Sequence, residues 1–206
     1  MDGIKRLSFI QQDLLKELGT IGTGNAATAM AELIGTKITI TVPTVEILPF
    51  ARVTDFVGGP DKILGCVYLD VHGSLPGTVL ILFEKAAAEG LLKQIMFGAE
   101  VNLLEMNEME QSALKEIGNI LSGSYLSALA DFTGHKMISS VPNLAVDMAA
   151  AVLSVPMSKL GRSADYALLI QAAFFENQTS NGCVVFIPQP DSTEKLLRIF
   201  GVREYD

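Results

Sequence analysis

The sequence predicts an α+β fold with a pseudo-twofold internal duplication: one antiparallel β-sheet, two long helices, and a shorter helix closing each half. Three observations carry this. Residues recur at a fixed spacing of 99, as in Leu15/Leu114, Lys16/Lys115, Glu17/Glu116, Gly19/Gly118, Ile21/Ile120, Gly24/Gly123, Gly35/Gly134 and Lys37/Lys136. Each half runs in one order, a long helical pattern, then β-like pieces, then a short helical stretch ending in glycine. The links between the β-like pieces are short, which favours antiparallel pairing over crossovers. The repeats cover about residues 8–100 and 107–203 of a single domain, 1–206. No Pro/Ser-rich or charged stretch separates them, and a chain of 206 residues can bury one good core or two small ones.

The elements follow in order. Ser8 and Gln11 have capping-box spacing. Ile10, Leu14, Leu15, Leu18, Ile21, Ala29 and Leu33 then keep helical periodicity until Gly35. Strands are expected at 37–42, 45–48, 63–71 and 78–83, with a closing helix at 86–97 before Gly98. The second long helix opens with Asn107 and Glu110 in the same capping relation and runs to Gly134. Strands are expected at 137–141, 144–154, 164–175 and 183–187, and a closing helix at 193–200 before Gly201. Gly77 aligns with Gly182 at a spacing of 105, so the second half carries six extra residues in a hairpin or loop. Pro43 and Pro142 fall at strand ends, where a missing N–H does least harm.

Composition excludes several classes. A net charge of −8 argues against nucleic acid, which asks for clustered Lys and Arg. It leaves room for a partner with a basic surface, although acidic balances are common in ordinary proteins. Cys66 and Cys183 sit in apolar, strand-like runs without metal-ligand spacing and read as small core residues of a reduced, cytoplasmic protein. The first six residues lack the apolar stretch of a signal peptide. The most apolar run, 144–157, contains Asp147 and Pro156 and is too short to span a bilayer.

The polar content of the repeat is its most informative part. The second copy reads Ser112-x-x-x-Glu116-x-x-Asn119 with Pro142 further on; the first reads Asp13-x-x-x-Glu17-x-x-Thr20 with Pro43. Core packing explains repeated glycines and apolar residues, but not a repeated Glu and its spacing. Residues three apart share a helix face, so Glu116 and Asn119 present a carboxylate and an amide together, with Ser112 a turn earlier and Leu114, Ile117, Ile120 and Leu121 on the buried side. Without His, Cys or a metal cluster this is a poor self-contained catalytic set. It suits a different role. The carboxylate grips a cation on a partner, and the amide holds a water by both donating and accepting hydrogen bonds. Positioning a water for in-line attack on a phosphoryl group asks little covalent chemistry of the protein. A Glu and an Asn on the wet face of a helix are also ordinary.

At these residues the chain resembles the CheC/CheX/FliY phosphatases of bacterial and archaeal chemotaxis, and CheC most among them. The resemblance rests on the run from Leu15 to Ala29 followed by Val42-Pro43, and on its twin from Leu114 to Asp131 followed by Val141-Pro142. It covers essentially the whole chain, and a flagellar-switch extension of the FliY kind is not expected. It implies that the substrate is phosphorylated CheY, a response regulator carrying an aspartyl phosphate. Glu116 would pair with the regulator's Lys, and Asn119 would orient the attacking water. No cofactor or metal is expected in this chain; Mg²⁺ would come with the regulator. Carried to the first copy, the resemblance keeps the Glu17 anchor but puts Thr20, a short β-branched hydroxyl, in the place of the amide. That leaves an alternative: a non-catalytic adaptor that captures the regulator, or CheD, a receptor deamidase. Asp147, which interrupts an apolar run, lies in a segment resembling the CheD-binding region.

The remaining features read as structural. Ile21-Gly22-Thr23-Gly24-Asn25 lies within a helical pattern, so close packing or a bend explains its glycines better than a phosphate loop. His72 and His135 are single and near turns. Met106, Met109, Met148 and Met157 read as core or gap filler. A monomer, or a weak self-association, is expected.

Overall fold

The computed structural model describes residues 9–35, 37–41, 45–160, 166–174 and 180–201; Pro43 and Ser8 lie outside them. Two 26-residue helices dominate, α1 (Phe9–Ile34) and α4 (Glu108–Thr133). The second starts at a full capping box. The Asn107 side chain accepts from the Met109 and Glu110 N–H groups, while the Glu110 carboxylate accepts from the Asn107 N–H. Both helices stop at the expected glycines, Gly35 at φ +74° and Gly134 at φ +67°, a conformation that a side chain would strain.

Between and after them run β1 (Ile40–Thr41), β2 (Val45–Pro49), a 3₁₀ turn at Phe50–Arg52 leading into the one-turn helix α2 (Val53–Phe56), β3 (Ile63–Gly73), β4 (Gly77–Glu84) and α3 (Lys85–Ile95). The second half adds β5 (Met137–Ser139), β6 (Asn143–Met148), α5 (Ala149–Leu160), β7 (Tyr166–Phe174), β8 (Ser180–Pro188) and α6 (Pro190–Ile199). All eight strands form one sheet with antiparallel pairing, in the order β1-β7-β8-β4-β3-β5. In it β2 also lies on β7, and β6 on β3.

This order exchanges strands between the halves. The first half's β1 and β2 edge the second half's β7, and β5 and β6 edge β3. At the centre, β4 and β8 pair so that Leu80 faces Val185, and Gly77 and Phe83 face Pro188 and Gly182. Leu80 and Val185 are equivalent at the spacing of 105 seen in the sequence. The pseudo-dyad therefore passes between them.

The sheet is buried on both sides. Val67, Leu69, Val79, Ile81, Phe83, Ile170, Val184 and Phe186 face α1, α3, α4 and α6. The alternate residues Leu64, Cys66, Leu80, Leu82, Leu169, Cys183 and Val185 face α2 and α5. This is why β4 and β8 read as unbroken apolar runs. Both thiols are buried and free; burial pushes Cys183 up to about 12 and raises Cys66 as well.

Two elements differ from the sequence expectation: the one-turn helix α2 is additional, and α5 replaces part of an expected strand. The strand expected over 144–154 ends at Met148, and Ala149 starts helix α5. Three successive alanines favour helix, and Ala149, Val152 and Leu153 then cover the second face of the sheet. Pro142 occupies a break between the collinear edge strands β5 and β6. There the Ser140 hydroxyl accepts from the Asp70 N–H, and the Ser140 N–H bonds the Asp70 carbonyl.

Candidate functional site

Helix α4 turns Leu114, Ile117, Leu121 and Tyr125 into the core and leaves its other face to solvent. On that face lie Ser112 and Glu116, both exposed, and Asn119, half-buried. Among the described residues, neither the Glu116 carboxylate nor the Asn119 amide has an intramolecular partner. The backbone beneath them is pinned. A Cβ at Gly118 would lie 2.4, 2.5 and 2.7 Å from the Cβ, Cγ1 and Cγ2 of Val67 on β3. The helix thus approaches the sheet as closely as a glycine permits, at the residue before Asn119. Ser122 adds a hydroxyl bond of 3.0 Å to the Asn119 carbonyl.

The equivalent face of α1 carries Asp13, Glu17 and Thr20, all exposed. Here the polar group differs in more than length. The Thr20 hydroxyl donates to the Lys16 carbonyl at 2.8 Å, the common fate of a helical threonine. Its single hydrogen is therefore committed to the helix. It can accept from a water but cannot also donate to one, whereas an amide does both.

The two faces do not converge. Both long helices cover one side of the sheet, so a dyad perpendicular to the sheet reverses one relative to the other. They meet near their middles. Thr23 Oγ1 and Tyr125 OH are 2.7 Å apart, and Gly22 leaves room for the Tyr125 ring, which an added Cβ would meet at 2.4 Å. Glu17 precedes Thr23 by six residues and Glu116 precedes Tyr125 by nine. At ~1.5 Å per residue the two carboxylates lie ~22 Å apart along the helix pair.

The glycine-rich stretch of α1 is continuous helix, as its pattern implies. Gly22 is there for close packing, while a Cβ at Gly24 would meet nothing within 4 Å. The Nδ1 of His135 lies 2.7 Å from the Thr133 carbonyl at the end of α4, and His72 is exposed on β3. Asp147 is exposed at the end of edge strand β6, its carboxylate accepting from the Met148 N–H at 2.7 Å. Two methionines are not core. Met109 is 70% exposed and Met148 44%, whereas Met106 packs against the core. The Met157 side chain lies outside the described residues. No helix among the described residues is long and apolar enough to cross a membrane.

The CheC-like family profile matches residues 10–47 and 109–146, the two long helices with the segments that follow them. The CheY-P phosphatase CheC of Bacillus subtilis is 35% identical over 196 residues, covering 93% of this chain and 94% of that protein. The flagellar motor switch phosphatase FliY of the same organism is 26% identical over 140 residues, covering 67% of this chain and 36% of that protein. Among solved structures, Thermotoga maritima FliY aligns over 97% of this chain and 100% of that chain. Its TM-score is 0.73 at 20% identity, which shows a shared fold.

Proposed function

The chain belongs to the CheC-like family, and from that membership we propose that it hydrolyses the aspartyl phosphate of a phosphorylated CheY-type response regulator. The observation that carries this is the face of α4: an exposed carboxylate and a half-buried amide one turn apart, without partners among the described residues, on a helix held against the sheet at Gly118. Groups without internal partners are free for a partner protein. Glu116 anchors the regulator through a charge-assisted hydrogen bond to its lysine. Asn119 then enters beside the phosphate and orients a water in line with the scissile bond. The water oxygen bonds to phosphorus, the bond from phosphorus to the aspartyl oxygen breaks, and the water's proton leaves to solvent. Free aspartate and inorganic phosphate result. Mg²⁺ carried by the regulator supplies the charge neutralisation that such a transfer needs.

The Thr20 geometry favours a second reading for the first copy. With its hydroxyl hydrogen held by the Lys16 carbonyl, this face keeps the anchor and lacks the water-holder. It docks the regulator without hydrolysing it, so one half acts as an adaptor beside a catalytic half. Asp147, exposed on its edge strand, is our proposed contact for a CheD-type deamidase.

The test is decay of aspartyl phosphate on purified, phosphorylated CheY with and without this chain. Acceleration by the wild type, and its loss in Asn119→Ala, is expected. Activity that survives Asn119→Ala overturns the mechanism, and no acceleration by the wild type overturns the function.

A further inference from the structure

Met109 and Ile10 are equivalent at the spacing of 99 and are 70% and 72% exposed. Each begins the stripe that carries the motif. Met109, Ser112, Glu116 and Asn119 follow one another at intervals of three, four and three residues, as do Ile10, Asp13, Glu17 and Thr20. Such intervals keep side chains on one helix face. Single exposed apolar residues are normal. A large apolar side chain in solvent at the same place in both copies is different, because packing among the described residues covers neither. Met109 is also held in place, since its N–H donates to the Asn107 side chain at 2.9 Å within the capping box.

We propose that Met109 is an apolar contact that seats the phosphorylated regulator on α4, about two turns before the charged anchor. This rests on the phosphatase reading above and adds a specificity-determining residue to it. The occupant is the regulator itself, because the methionine is continuous with the Glu116–Asn119 face. Its surroundings are acidic: Glu105, Glu108 and Glu116 are exposed, and they suit a partner surface with basic groups around an apolar patch. A flexible thioether can adapt to that patch. Met109 touches no reacting atom, so it acts on capture and leaves the chemical step alone.

The test is steady-state turnover of phosphorylated CheY by Met109→Ser, Met109→Leu and Phe97→Ala. Phe97, 99% exposed just beyond the end of α3, controls for simple loss of exposed apolar surface. Met109→Ser should raise KM about tenfold with kcat within twofold, Met109→Leu should restore the wild-type KM, and Phe97→Ala should leave both constants unchanged. All three should melt with the wild type. A KM within twofold of wild type in Met109→Ser overturns the proposal, as does failure of leucine to rescue, an equal effect of Phe97→Ala, or a lowered melting temperature in Met109→Ser. A wild type that does not accelerate dephosphorylation overturns the underlying function instead, which separates the two failures.

Discussion

Replacing Gly118 by alanine, beside the same change at Gly123, isolates the contact that positions the site. Both glycines lie inside α4, so each substitution gains the same helix propensity, ~1 kcal/mol. Their surroundings differ. A Cβ at Gly123 meets nothing within 4 Å, whereas one at Gly118 falls 2.4 to 2.7 Å from three carbons of the buried Val67. Ordinary carbon contacts are about 3.5–4.0 Å, so the helix must rise off β3 by about 1 Å. Overpacking of this kind destabilises by ~1–3 kcal/mol. Gly123→Ala should therefore gain ~1 kcal/mol over the wild type, and Gly118→Ala should fall ~1–3 kcal/mol below Gly123→Ala in urea unfolding at neutral pH. The same ~1 Å shift carries Glu116 and Asn119 away from a docked phosphate, and misplacement on that scale is worth ~10² in rate. Gly118→Ala should thus dephosphorylate CheY about a hundredfold more slowly although both functional side chains are present. Coincident unfolding of the two variants, or wild-type turnover by Gly118→Ala, would refute the claim that this contact sets the site.

Thr20→Asn returns an amide to the first copy. Turnover per chain should rise by up to about twofold at saturating regulator, and no rise in the CheY dephosphorylation assay means that Thr20 is not what silences that face. Ser192→Ala should raise stability by about 1 kcal/mol in the same unfolding experiment. The Ser192 hydroxyl is fully buried and has no hydrogen-bond partner, and its counterpart at a spacing of 105 is the fully buried Ala87. Burial pushes Tyr125 up to about 12, against the lowering effect of its bond to Thr23. Folding thus favours the neutral phenol: that stability is present below pH ~10 and is lost as pH rises from ~10 to ~12, by roughly 2–3 kcal/mol. Tyr125→Phe should flatten this alkaline decline in pH-dependent melting, leaving the part that Cys66 and Cys183 contribute in the same direction.

The long helices are legible in the sequence because every level of it agrees on them. Apolar spacing, the Asn107/Glu110 box and the glycines at 35 and 134 all mark the same ends, and the structure places them there. The antiparallel sheet is legible from its short connections. Helices α2 and α5 are not, for a physical reason. A sheet buried on both faces turns its strands into continuous apolar runs, and the helices covering the second face are short and apolar too. Periodicity cannot separate the two kinds of run, so 149–154 reads as more strand. The exchange of β1/β2 and β5/β6 between halves is also hidden, because it depends on which edges are open once the halves meet. No local pattern encodes that.

At the site, residue identity is plain in the sequence, but the state of each side chain is not. The repeated Glu and the Asn-to-Thr change are visible at once. That Thr20 donates its hydrogen to the Lys16 carbonyl is a matter of rotamer, and it changes what the substitution means. A free hydroxyl would be a shorter version of the amide; a committed one cannot donate to the water at all. Met109 shows the converse limit. By residue type a methionine reads as core or gap filler, and its exposure, matched by Ile10, removes it from there. On the proposed function, the face of α4 is a stripe from Met109 to Asn119, with an exposed methionine at one end, the Glu116 carboxylate within it and the Asn119 amide at the other end. In α1 the same stripe keeps an apolar residue at Ile10 and the carboxylate at Glu17, and the Thr20 hydroxyl stands where α4 has its amide.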